Sequence, residues 1–146
     1  MKQRFSVSQQ APKSYKALLE FDKCLHDGGI ELPLLYLVYT RISQINGCAY
    51  CTDAHWKDAR TGGASEEKMA RLVCWRESPG FSEREGAALA WAEAVTDLAH
   101  GHVTDAAYDA ARGQFSDSEL ANLTVAIAAM NLWNRIGIAS RLVPGE

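Results

Sequence analysis

No stretch of this chain is apolar for long enough to cross a bilayer. The densest run, Leu32 to Tyr39, has eight residues and contains Pro33, whereas a membrane helix needs roughly 20. Lys and Arg form no cluster beyond isolated pairs. The balance of 15 basic against 18 acidic residues leaves a formal charge of −3, so neither nucleic acid nor an anionic membrane is expected as a partner. Low-complexity tracts, a repeat period and a Pro-, Gly- or Ser-rich linker are all missing, and the expectation is one domain over residues 1–146. Behind the two basic residues of Met1-Lys2-Gln3-Arg4-Phe5-Ser6 there is no apolar run. No secretory signal is therefore expected, and the four cysteines are read as thiols of a cytoplasmic protein. What is present is ordinary for a folded chain: 47% hydrophobic and 23% charged residues, enough at this length to bury roughly 70% of the unfolded surface.

Strand signals are absent too, since no run of four to eight residues alternates apolar and polar between turns. Helix signals recur instead. Pro12 opens a segment in which Tyr15, Leu18, Leu19, Asp22 and Leu25 keep helical spacing until Gly28-Gly29, which predicts a helix over Lys13 to Asp27. Leu34, Leu35, Val38, Ile42 and Ile45 form a second, more apolar stripe between Pro33 and Asn46-Gly47, and this helix should be central. A third runs from Cys48 to Thr61. Ser65-Glu66-Glu67 starts a fourth, with Met69, Leu72 and Val73 on its buried side, and Ser78-Pro79 ends it. Ser82-Glu83-Arg84-Glu85 and Ser116-Asp117-Ser118-Glu119 match the capping box. They launch Glu83 to Ala99 and a long helix reaching Ser140, with Thr104 to Arg112 between them. The chain reads as all-α with about seven helices, and Ala126 to Ala129 would let a neighbouring backbone approach closely.

Chemistry concentrates in Cys48-Ala49-Tyr50-Cys51-Thr52-Asp53-Ala54-His55. If the helix includes all of it, Cys48, Cys51 and His55 follow at steps of three and four and share one face. The helix N-terminus favours a thiolate at Cys48, and His55 can take or relay the proton of Cys51. Structural zinc fits poorly. No second cysteine pair is present, and Cys48 and His55 are separated by about 10.5 Å of helix rise, so no metal is expected. Covalent haem attachment would need His where Thr52 stands, and a thioredoxin-like fold would put a strand before the pair. Two buried packing thiols remain the alternative to an activated pair. Cys24 and Cys74 lack such neighbours and are expected to be buried, structural thiols. His100 and His102 are read as capping or solvated groups, and Trp75, Trp91, Trp133 and Tyr108 as core or subunit-interface residues.

Ser43-Gln44-Ile45-Asn46-Gly47-Cys48-Ala49-Tyr50-Cys51, followed by His55, resembles the signature of the alkyl hydroperoxidase D-like proteins of the carboxymuconolactone decarboxylase superfamily. The stretch Ala128 to Arg135 is similar to the closing helix of many small members. The resemblance implies an all-helical bundle assembling into a homo-oligomer, trimer or hexamer, and needing no cofactor. It also implies a peroxidatic Cys51, a resolving Cys48 that closes a disulfide with it, and His55 in the proton relay. The substrate would be a small alkyl hydroperoxide and the reductant a lipoyl-bearing or thioredoxin-like dithiol protein. Twelve residues before the first cysteine, where the family carries a relay Glu, this chain has Tyr36. As a relay replacement, a phenol can hold a water or donate a hydrogen bond, but it shuttles protons less well than a carboxylate. Tyr50 stands where the best-studied branch has His. Two other functions stay open: a non-catalytic redox-sensing or binding oligomer, and a lactone decarboxylase, whose branch generally lacks the cysteine pair.

Overall fold

In the computed structural model, which describes residues 2–145, the chain folds into eight α-helices and one 3₁₀ segment, with no strand among the described residues. Pro33 sits in the first turn of α3 (Leu32–Asn46), where its missing N–H costs nothing, and eight residues of this helix are buried. It is the axis of the molecule. Around it pack α4 (Ala49–Thr61), α6 (Glu83–Thr96) and α8 (Asp117–Ser140). Ala88 and Ala92 of α6 are fully buried, and these small side chains let Leu35, Val38 and Ile42 of α3 meet Leu123 and Ile127 of α8 in a common core. Leu37, Ala59, Met69, Leu72 and Leu89 form a second cluster, under α5 (Glu66–Arg71) and the 3₁₀ segment Leu72–Glu77.

Both expected capping boxes form. Ser82 and Ser116 accept from the backbone N–H of Glu85 and Glu119, and each Glu carboxylate accepts from its Ser N–H in return. Thr104 caps α7 (Asp105–Arg112) by its hydroxyl alone, which accepts from the Ala107 N–H. Arg84 then ties three elements together, donating to Glu31 (3.0 Å), to Glu119 (2.7 Å) and to the Gln114 carbonyl (2.6 Å).

Several details differ from the sequence reading. A four-residue helix, α1 (Val7–Gln10), precedes α2 (Pro12–His26), and α6 stops at Thr96 rather than Ala99, where Asp97 turns to take a hydrogen bond with His100 at 2.6 Å. After Arg71 the chain tightens to 3₁₀ geometry and breaks at Cys74 (φ −125°, ψ 36°). The change of period rotates Val73 outwards, to 60% exposure, instead of onto the buried side. Cys24 and Cys74 are exposed, not buried. Cys24 lies on α2, which has no buried residue, and Cys74 lies at the break. Of the four aromatics read as core or subunit-interface residues, Trp91 is buried, Trp75 and Trp133 are half-buried, and Tyr108 is exposed with its ring against Trp91. Among the described residues no helix is long and apolar enough to cross a membrane.

Candidate active site

The cysteine pair is positioned by the turn between α3 and α4. Gly47 takes the left-handed conformation (φ 70°) that L side chains avoid, and the backbone N–H groups of Gly47 and Cys48 donate back to Gln44 and Ser43. The chain thus leaves α3 and starts α4 without a linker. Cys48 is the N-cap of α4, and its Sγ accepts from the Cys51 N–H at 3.4 Å. The two cysteines are joined as a disulfide with Cα atoms 5.4 Å apart, and both are buried.

A polar clamp fixes this turn to α8. Asn46 Nδ2 donates to Asn131 Oδ1 (2.9 Å) and Asn134 Oδ1 (2.8 Å), Asn134 Nδ2 donates to Ser43 Oγ (3.0 Å), and Ser43 Oγ donates to the Tyr39 carbonyl (2.7 Å). Ser43 and Asn134 are fully buried, so each depends on these partners. One turn further along α8, Gly137 faces the disulfide. A Cβ there would lie 3.2 Å from Cys48 Sγ and 3.4 Å from Cys51 Sγ, closer than packed atoms normally sit.

Cys51 lines a cavity of about 450 Å³ enclosed by α2, α3, α4 and α8. His55 and Tyr36 line it too, together with Tyr39, Tyr50 and Trp133. His55 Nδ1 is 3.1 Å from Asp58 Oδ2, and the imidazole lies against the Tyr39 ring with centroids 5.2 Å apart. Burial lowers the proton affinity of His55, opposed by the hydrogen bond and charge of Asp58, so the ring is a neutral proton acceptor at pH 7. Burial, then the charge of Asp22, pushes the Tyr39 phenol well above its ordinary value. Its hydroxyl therefore stays protonated, and it is buried with no hydrogen-bond partner among the described residues.

The expected strip of Cys48, Cys51 and His55 is only partly realised. Cys51, His55 and Tyr36 meet at one cavity, but Cys48 has extended backbone angles (φ −85°, ψ 96°) and lines a different one, because a cap residue lies outside the helical register. The third helix accordingly begins at Ala49 rather than Cys48. Glu31 is held by Arg84 and takes no part. The sequence reading did not single out Asp22, His26 or Asp58, all of which line the Cys51 cavity. Asp22 had a signal: it is the one acid in the apolar stripe of α2, and it accepts a hydrogen bond from Trp133 Nε1 at 2.8 Å. No group of three metal-ligating side chains comes together among the described residues.

Comparison with known proteins bears on this arrangement. Residues 12–94, which include the cysteine pair, match the carboxymuconolactone decarboxylase family model. The uncharacterized protein YdfG of Bacillus subtilis (strain 168) is 34% identical over 95% of both chains. The uncharacterized protein YnjA of Escherichia coli (strain K12) is 33% identical over 70% of this chain and 56% of its own. A crystal structure from Agrobacterium tumefaciens, of a protein of unknown function proposed as the antioxidant defence protein AhpD, superposes with a TM-score of 0.96 at 38% identity over 99% of both chains. The debrominase Bmp8 shares the fold, with a TM-score of 0.84 at 22% identity, over 93% of this chain and 73% of its own.

Proposed function

This chain belongs to the carboxymuconolactone decarboxylase family, and we propose that within it the protein is a thiol-dependent peroxidase that reduces small alkyl hydroperoxides through a Cys48/Cys51 dithiol–disulfide cycle. The observation that carries this reading is the disulfide at the start of α4, with Cys51 on the floor of a cavity it shares with His55. In the reduced protein, neutral His55 takes the Cys51 proton. The thiolate attacks the peroxide O–O bond, alcohol leaves, and Cys51 becomes a sulfenic acid. The Cys48 thiol then displaces water from that sulfur and closes the disulfide, and a lipoyl-bearing or thioredoxin-like dithiol protein reopens it.

The cavity suits an uncharged organic peroxide. Its wall carries four tyrosines, and the two carboxylates that line it, Asp22 and Asp58, disfavour an anionic one. With Tyr36 in place of the family Glu, the carboxylate supporting the relay is Asp58, hydrogen-bonded to His55 on the same helix. A cytoplasmic location and a trimeric or hexameric assembly belong to the same proposal. The test is consumption of cumene hydroperoxide with a dithiol present. Turnover in the wild type that disappears in Cys51→Ser supports the reading, and equal rates in both proteins overturn it.

A further inference from the structure

The disulfide stands between two cavities of opposite character. The cavity reached from Cys51 carries Asp22 and Asp58 and no Lys or Arg in its lining. The cavity reached from Cys48, about 420 Å³, is lined by Arg4 and Arg141 and by no acidic residue among those described. Tyr50 and Leu142 belong to both linings and form the partition between them.

Both arginines are held in this wall by backbone. Arg4 donates its N–H to the Ser140 carbonyl (2.8 Å) and its guanidinium Nη1 to the Ala139 carbonyl (3.2 Å), which pins the N-terminal segment along the end of α8. Arg141 caps α8 in the left-handed conformation (φ 57°), and among the described residues it is the one non-glycine residue with positive φ. Such a conformation is strained for a side chain with a Cβ and persists where its surroundings fix it. Here the Arg141 and Leu142 N–H groups donate to Ile138 and Gly137, which keeps residues 141–144 folded over Cys48.

We infer that the reductant reaches the disulfide at Cys48 through this second cavity, and that the cavity favours a thiol bearing a further negative charge. The inference rests on the disulfide cycle proposed above. A thiolate attacks Cys48 Sγ, the S–S bond breaks, and its electron pair leaves on Cys51 Sγ, which takes a proton from water. The reductant is then held on Cys48 as a mixed disulfide. A second thiolate attacks the reductant sulfur and releases Cys48, which is protonated in turn. In sum, two thiols become one disulfide and the protein disulfide gains two electrons and two protons. Separate entrances also keep the reductant out of the cavity where Cys51 meets peroxide.

The test uses the oxidised protein and no peroxide, so it is independent of whether Cys51 turns over hydroperoxides. Reduction by 2-mercaptoethanesulfonate and by 2-mercaptoethanol is timed by acid quench and alkylation. The anionic thiol should be faster at low salt, with the ratio falling by about threefold or more as salt screens the arginines. Arg141→Gln should lower the ratio and leave the neutral thiol's rate unchanged. Arg4→Gln gives the same readout should the first variant fold poorly. Peptide mapping of the quenched intermediate should find the adduct on Cys48. An adduct on Cys51, or a ratio insensitive to salt and to both variants, overturns the inference. Loss of peroxide turnover in a separate assay would overturn only the peroxidase reading.

Discussion

At the scale of single residues, His55 is where burial and an acidic neighbour oppose each other. Burial is the larger effect and lowers its proton affinity in the folded protein, while Asp58 raises it in part. The unfolded chain takes up this proton near the ordinary histidine value of about 6.5, and the folded chain only at lower pH. Between the two values the unfolded state binds more protons, so stability rises with pH through that window: it is complete above about 6.5 and declines as the pH falls toward the folded value. Urea unfolding midpoints should therefore drop between pH 7.5 and 5.5, and His55→Gln should flatten that slope. Equal slopes in the two proteins would refute the assignment. The carboxylates titrate lower. Glu119, held down to about 2 by the Ser116 backbone N–H and then by Arg84, gives up its contribution only below the ordinary carboxylate range. Cys51 and His55 stood out by their spacing on one helix, whereas Tyr36 stood out only through the family resemblance, as the residue twelve positions before Cys48. The clamp residue Asn134 carried no signal, and that of Asp22, an acid in an apolar stripe, gains its meaning only once α2 and α8 are folded against α3 and α4.

At the scale of elements, α2 and α8 are opposites. Nine residues of α8 are buried, so its opening requires the core to open. None of the 15 residues of α2 is buried, and Leu19 and Phe21 are 41% and 38% exposed. What fastens α2 over the cavity is Asp22 accepting from Trp133 Nε1, with the Tyr15 ring edge-on to the same indole at 6.0 Å. A segment with so little buried surface opens at low free energy. Amides of 13–26 should exchange with deuterium well before those of 117–140, and Asp22→Asn, which weakens the acceptor, should widen the gap. Protection of α2 equal to that of α8 would contradict its reading as a cover for the Cys51 cavity. The helical period of α2 was plain in the sequence, yet its apolar stripe gave no sign of being left half-exposed. Periodicity reports which face is apolar, not whether another element is large enough to bury it.

The whole molecule leaves a comparable face open on α8. Val125, Leu132 and Ile138 are 43%, 37% and 46% exposed, and Ala128 is exposed between them. Val125, Ala128 and Leu132, at steps of three and four, share one side of a helix whose other side is core, while Ile138, six residues after Leu132, lies off that side. A contiguous apolar stripe on a soluble monomer is a common mark of an interaction surface, and a formal charge of only −3 gives little repulsion between copies. Ala128 adds a small contact at which two backbones can approach. In the trimer or hexamer proposed above, this face would meet a second copy of this chain. Light scattering behind size exclusion should give a mass that is a multiple of 16.0 kDa. Leu132→Glu, which puts a charge in the middle of the stripe, should shift the population to monomer. Its thermal midpoint should remain concentration-independent where that of the wild type rises with protein concentration. A wild type that runs at one chain's mass, with a midpoint unmoved by dilution, would mean that α8 presents this face to something other than itself.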